Sequence, residues 1–321
     1  MNTAQKLTVM VSAVLVFFGV LLVVFWLASR SRGRAQTPLA RLLFLGPAVV
    51  LLSIGLVIPA VQTFIASFKG PDSRKGVGLA NYSWIFTTEE NRSFLINTVL
   101  WIVVTPIAAT ALGLTLALLL DRMRRESVPK ALIFMPMAIS FVGASIIWNL
   151  VYQYNQPGDE QIGLLSAIVT RLGLDPQNWI TWQPWNNFLL MIIMIWIQVG
   201  FAMVVLSAAI KAIPMDVTEA AMLDGAVGWK LFSKVTVPMI RGTLVVVLTT
   251  IAIGVLKVFD IVRTMTNGNF KTQVIANEMY AQSFVQFDYG HGSALAVVLF
   301  AAVVPLIVYN VAQLRKERSI R

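Results

Sequence analysis

Residues 211–242 read KAIPMDVTEAAMLDGAVGWKLFSKVTVPMIRG, and how this stretch folds decides how the rest of the chain is understood. Pro214 suits a first helical position, and Asp216 and Glu219 then fall in the first turns, where the helix dipole favours acids. Ala220 and Ala221 present almost no side chain. Asp224-Gly225 breaks that helix with a residue that takes positive φ without steric cost. A second amphipathic helix is predicted from 226 to about 232, and Pro238 closes the segment. Two short helices joined at a glycine, small on one face and acidic at one end, make a knob that suits a groove on another protein or, as an amphipathic hairpin, a lipid surface.

Long apolar runs flank the knob. A bilayer core about 30 Å thick is spanned by roughly 20 apolar helical residues, and seven runs reach that length. Residues 7–28, 42–68, 94–120, 131–152, 188–210 and 294–314 contain no Asp, Glu, Lys or Arg, whereas 242–262 holds Lys257 and Asp260. Prolines 47, 59, 106, 136 and 305 lie inside these runs and are compatible with membrane helices, in which neighbours satisfy the freed carbonyls. The chain has 321 residues, 57% hydrophobic and only 12% charged, with a mean hydropathy of +0.76. A soluble domain carries about a quarter charged residues. Disorder, which needs low hydrophobicity, a disulfide scaffold, for which there is no cysteine, and a single-domain cytosolic enzyme, which needs a solvated exterior, are all excluded.

Charge sets the orientation. Arg30, Arg32, Arg34 and Arg41 follow the first run; Arg122, Arg124, Arg125 and Lys130 the third; Lys211, Lys230, Lys234 and Arg241 the fifth; Arg315, Lys316, Arg318 and Arg321 the seventh. These segments hold sixteen of the 25 Lys/Arg and six of the 15 acids, so the whole net charge of +10 sits in them. The positive-inside rule makes them cytoplasmic. The expected fold is an all-α polytopic bundle of seven transmembrane helices, N-terminus outside and C-terminus inside. The first run is longer than a signal-peptide core and runs into arginines without a small-x-small site, so it is read as a retained span. The excess charge is a topology signal, not a nucleic-acid site.

The loops on the other side differ. Residues 69–93 are turn-rich, with Gly70, Pro71, Gly76, Gly78 and Asn81. Residues 153–187 end in Trp179, Trp182 and Trp185, an interfacial aromatic belt or a ring platform for a sugar.

A catalytic inventory is missing. No Gly-x4-Gly-Lys-Ser/Thr loop occurs, and His291 is the single histidine in a chain without cysteine, which leaves no Walker site and argues against a metal site or a Cys/His nucleophile. His291 reads as a polar residue at a membrane boundary. Ionisable groups at the centre of a membrane helix cost about 2.5–3.5 kcal/mol each. Lys257 and Asp260, spaced i, i+3 and followed by Arg263, are expected to share a helix face and pair, either wetted near the outer end of the span or lining a solute path. Gln198 lies mid-span with Phe201 three residues on, and Asn149 and Tyr152 share a face beside Trp148. Such uncharged polar and aromatic groups suit a polyol, which needs donors, acceptors and ring faces. They suit interhelical hydrogen bonds equally.

The segment Glu219-Ala220-Ala221-x-x-Asp224-Gly225-Ala226, followed by Phe232, Val235 and Pro238, resembles the EAA loop of the membrane permease subunits of binding-protein-dependent ABC importers. Gly46-Pro47, Pro59, Ser67-Phe68, Gly78-Leu79-x-Asn81-Tyr82, Asn97-Thr98, Pro136 with Trp148, Phe259-Asp260 with Thr266-x-Gly268, and Tyr280-x3-Phe284-x2-Phe287-x-Tyr289-Gly290 leading to Ala294 and Ala296 resemble further landmarks of its carbohydrate branch. The resemblance covers roughly residues 42–314 and is strongest to the maltose- or α-glucoside-type permease of the larger, first-subunit kind. Arg241-Gly242 and Gly268-Asn269-Phe270 depart from it, where relatives often carry a second proline and a glycine run ending in proline.

The resemblance implies a six-helix permease core at 42–314 with its coupling loop at 211–241, preceded by an extra helix and basic linker at 1–41 and followed by a basic tail at 315–321. It implies a path for a di- or oligosaccharide across a bacterial or archaeal cytoplasmic membrane. The implied partners are a second, homologous permease subunit in a heterodimer, a dimer of ATPase subunits and an extracytoplasmic solute-binding protein. No cofactor is expected on this chain, ATP and Mg being used by the ATPase. Glu219, Ala220, Ala221, Asp224, Gly225 and Ala226 would seat the knob in an ATPase cleft. The sugar site would lie near Gln198 and Phe201 and the stretch from Gly254 to Lys257 and Asp260, with Asn149 and Tyr152 as further candidates. The competing readings are a secondary transporter, which leaves the EAA loop unexplained, and a permease for another polar solute such as a sugar phosphate. A membrane enzyme would need a catalytic cluster.

Overall fold

The computed structural model describes Gln5, Ser12, Gly19 and residues 45–318, apart from Arg122 and Pro157. The expected first span and its basic linker therefore lie outside the described residues, save for isolated positions. Residues up to Ile65 form one unit and residues from Ala66 another. The described part is helical, with one isolated bridge between Lys69 and Gly76. Among the described residues, four helices are long and apolar enough to cross a membrane: α1 (Leu45–Ala66), α3 (Arg92–Leu120), α7 (Trp185–Lys211) and α13, whose apolar part is Tyr289–Gln313 within Tyr289–Arg318. Two bent pairs pass the same test together: α4 (Ser127–Ala138) with α5 (Phe141–Val151), and α9 (Trp229–Met239) with α10 (Arg241–Leu256). Shorter helices are α2 (Ala80–Thr87), α6 (Leu164–Arg171), α8 (Met215–Leu223), α11 (Asp260–Met265) and α12 (Ile275–Tyr280).

The core is built on α3 and α7, which run parallel. Asn97 meets Asn187 near their starts, Gly113 lies against Ala202, and Ser207 bonds Asp121 near their ends. The buried face of α7 carries Leu190, Met191, Ile193, Met194, Met203 and Leu206. Parallel neighbours require a return crossing, and α4–α5 supply it. Along α7 in reverse, Lys130 bonds Ser207, Ile133 backs onto Gly200, Trp148 packs on Trp196, and the Tyr152 hydroxyl donates to the Leu189 carbonyl. That covers about 27 Å of helix at about 1.5 Å per residue, close to the thickness of a bilayer core.

Three expectations are corrected. The run 131–152 is not one straight helix: it bends by 105° between α4 and α5. Pro136 lies in a tight 3₁₀ turn, Ile139 is extended, and Ser140 restarts the helix by accepting the Gly143 N–H at 3.1 Å. The second knob helix starts at Trp229 rather than 226, because Gly225 and Gly228 both take positive φ, and it continues through Pro238 to a 70° break at Ile240. The run 242–262 breaks at residues 257–259. Lys257 ends α10 and Asp260 opens α11, so the two do not share a helix face, and no ion pair among the described residues joins them. Asp260 instead stands in the first turn of α11, where the dipole favours a carboxylate.

Candidate functional site

The knob is a helical hairpin whose turn follows from its residues. α8 ends at Leu223 and Gly225 takes φ +78°. The Ala226 N–H bonds the Ala221 carbonyl at 2.9 Å and the Gly225 N–H bonds that of Met222 at 3.0 Å, the paired closure that a left-handed residue permits at a helix end. Ala226, next in line, is buried. Pro214 lies one position before the helix rather than at its first residue. Glu219, Ala220 and Asp224 are exposed. So is an apolar tip: Leu223 is 90% and Trp229 77% accessible, and Met222, Val227 and, at the start of α8, Met215 are exposed too. Acidic and small positions are thus displayed together with large apolar side chains.

At the same end lies a cluster that sequence reasoning counted only as loop charge. Lys130 donates to Asp121, to Glu126 at 2.8 Å and to the Ser207 hydroxyl at 2.6 Å, and Ser207 donates to Asp121 at 2.6 Å. Lys211 pairs with Glu126 and approaches Asp121 at 3.9 Å. The Lys130 and Lys211 ammonium groups hold the Glu126 carboxyl down at about 2, from the usual 4.5. A depressed carboxylate contributes above its unfolded pKa and loses that contribution as pH falls through the folded one. The cluster is therefore intact throughout the neutral range. The signal that could have found it is the recurrence of Lys and acid at the ends of three neighbouring helices.

At the opposite end three amides hold the loop after α11. The Asn97 amide donates to the Lys271 and Gln273 carbonyls at 2.8 Å each, Asn186 to Phe270 at 2.9 Å, and Asn187 to Lys271 at 3.1 Å. They offset a loop in which Asn267, Phe270 and Lys271 all take positive φ. Asn97→Ala takes the amide donor from the Gln273 carbonyl and leaves the Lys271 carbonyl to Asn187 alone, at about 1–3 kcal/mol for a buried group left unbonded. Trypsin cleavage after the exposed Lys271 is expected to accelerate at least about tenfold, as local opening becomes easier. Unchanged cleavage would show that the amides do not secure the loop.

The path candidates are dispersed. Gln198 and Phe201 are half-buried on α7, Gly254 lies on α10, Lys257 and Asn149 are exposed, and Asp260 is half-buried. No side-chain hydrogen bond or ion pair joins these candidates to one another. Tyr152 is buried and its hydroxyl is committed to the Leu189 carbonyl. Arg263, beyond Asp260, lies 4.8 Å from the centre of the Tyr280 ring.

Comparisons with known proteins match this architecture. The family described as "Binding-protein-dependent transport system inner membrane component" matches residues 109–321. The chain is 51% identical to the alpha-glucoside transport system permease protein AglF of Rhizobium meliloti, over 86% of this chain and 82% of that protein. It is 47% identical to the osmoprotective compounds uptake permease protein GgtC of Synechocystis sp., over 87% and 100%. Its fold resembles a chain of a bacterial ABC transporter involved in the import of the acidic polysaccharide alginate, with a TM-score of 0.72 at 20% identity, over 84% of this chain and 93% of that one. With helices enough to cross a membrane several times, the chain belongs to the binding-protein-dependent transport system inner membrane components, the multi-pass permease subunits of ABC importers, in which ATP hydrolysis lies on a separate subunit.

Proposed function

We propose that this chain forms one half of the membrane path of an ATP-driven importer for an α-glucoside-type di- or oligosaccharide. An external binding protein delivers the sugar, and a dimer of ATPase subunits, which use the ATP and Mg, drives its passage. The observation that carries this reading is the hairpin: a glycine-closed turn that presents Glu219, Asp224 and a bare apolar tip, which is how a protruding element fits a protein groove. The sugar class rests on the relative at 51% identity. In this reading the hairpin end is cytoplasmic, since Arg124, Arg125, Lys230, Lys234 and Arg241 gather there. The chain then has seven spans, an extra helix within 1–41 ahead of a core at 42–314, with the N-terminus outside and a second, homologous permease subunit completing the path.

Gln198, Phe201 and Gly254 are the path residues this reading favours, since α7 and α10 flank the hairpin in sequence. Lys257, Asp260 and Asn149 stand toward the outer end, and Tyr152 serves the packing. Gln198→Ala is expected to raise KM for the transported sugar about threefold to tenfold, the value of one hydrogen bond, with sugar moved per ATP unchanged. An unaltered KM would remove Gln198 from the path. Binding of a panel of α-glucosides, trehalose, maltodextrins and sugar phosphates to the cognate binding protein, followed by uptake into vesicles holding the full complex, tests the substrate class. The 47% relative supports a second reading, a small osmoprotective solute. Uptake of such solutes but of no oligosaccharide would favour it.

A further inference from the structure

We infer that the ring formed by Asp121, Glu126, Lys130, Ser207 and Lys211 is a brace that fixes the direction in which the coupling helix leaves the membrane core, with Lys130 as its positioning residue. The inference rests on the reading of α8 as the element that meets the ATPase.

The first support is connectivity. α7 ends at Lys211 and α8 begins at Met215. Ala212 and Ile213 still bond back to Ala208 and Ile210, at 3.1 Å each, so the joint has little slack. Whatever orients the last turn of α7 orients α8.

The second support is the geometry of the ring. An ammonium has three donors, and Lys130 spends them on Asp121 at the end of α3, on Glu126 ahead of α4, and on Ser207 of α7. The Lys130 and Asp121 side chains are only 16% and 13% exposed. Three elements meet on one nitrogen, and Lys211 extends the ring to the last residue before the joint. Asp121 Oδ2 is nevertheless buried without a partner among the described residues. A partly buried ionic cluster that leaves an oxygen unbonded is a poor stabiliser, and its value lies in fixing one arrangement against others.

The third support is what the ring connects. α7 crosses α3 at Gly113 and α4 at Gly200 with backbones nearly touching, so these helices have little freedom to slide. A displacement of α8 is therefore delivered to α3 and α4 together, and through the 105° bend onward to α5. If the ring is broken, the last turn of α7 tilts away from α3 and α4 together with α8, and the displacement is absorbed there.

The test uses the full complex in lipid vesicles. The chain has no cysteine, so Leu132→Cys on α4 and Asp216→Cys on α8 introduce the only two thiols of this subunit for spin labels. Two quantities are read: the width of the distance distribution between the labels, and sugar moved per ATP hydrolysed. Lys130→Met is expected to broaden the distribution about twofold and to lower the transport ratio about tenfold, within the range of coupling energies between sites. Lys130→Arg, which keeps the charge and the donors, restores both to within about twofold. An unchanged ratio, an unchanged distribution, or an arginine variant as defective as the methionine variant overturns the brace. If Lys130→Met does not assemble, Ser207→Ala removes one hydroxyl of the same ring, and its ratio should fall about threefold. A wild-type ratio there overturns the proposal as well. Glu219→Lys separates the two levels: normal coupling in that variant sinks the docking reading itself, whatever Lys130 does.

Discussion

Gly225→Val is expected to leave the permease inserted and assembled while sugar uptake falls about a hundredfold, near the upper end of site-to-site coupling. A Cβ at Gly225 would meet nothing within 4 Å, so the penalty is conformational. At φ +78° an L residue pays about 1–2 kcal/mol, and a β-branched one more. α8 has nine residues, too few to be stable alone, and the closure through Ala226 and Gly225 holds its end. Strain of that size competes with the closure itself, and the display of Glu219, Leu223 and Asp224 is lost with it. Gly225→Asn, which tolerates the left-handed region, should keep most of the uptake. Glu219→Lys should fail like valine for a different reason, reversing a charge that is exposed in the free subunit. Its hairpin stays formed, so near-normal insertion accompanies loss of uptake and of sugar-dependent ATP hydrolysis. Substantial uptake by the valine and lysine variants in reconstituted complexes would sink the coupling role of the hairpin.

The spans and the hairpin were legible because both depend on local composition. Uncharged runs of bilayer length mark α1, α3, α7 and α13, and Asp224-Gly225 marks a turn wherever it occurs. The breaks were less legible. The run 131–152 is as free of charge as the straight helices, and its break comes at Pro136 and the Ser140 cap; the run 242–262 breaks at 257–259, where buried Val258 sits between Lys257 and Asp260. Periodicity put Lys257 and Asp260 on one face by assuming that the helix continues. The ion ring is not legible in the sequence for another reason. Taken one loop at a time, Asp121, Glu126, Lys130 and Lys211 are only loop charges; they come from segments up to 90 residues apart that the parallel docking of α3 and α7 brings together.

Gly200→Ala is expected to destabilise the subunit by about 3 kcal/mol, lowering its unfolding temperature within the complex by about 6–12 °C. An added Cβ would lie 2.5 Å from the Ile133 carbonyl oxygen and 2.6 Å from the Phe134 Cα. Both are backbone atoms, so no side chain can turn aside and α4 must move away from α7. The movement would spread, because α4 also carries Lys130 and leads into the bend before α5. Helix propensity alone predicts the opposite sign, since alanine is favoured over glycine by about 1 kcal/mol within a helix. Gly254→Ala supplies the control. A Cβ there meets nothing within 4 Å, so its unfolding temperature should hold or rise. If Gly254 also lines the sugar path, that variant changes KM without changing stability, whereas Gly200→Ala changes stability first. A Gly200→Ala subunit as stable as the parent would mean that α4 and α7 can separate at little cost, and a displacement of the hairpin would then have no rigid pair of helices to act on.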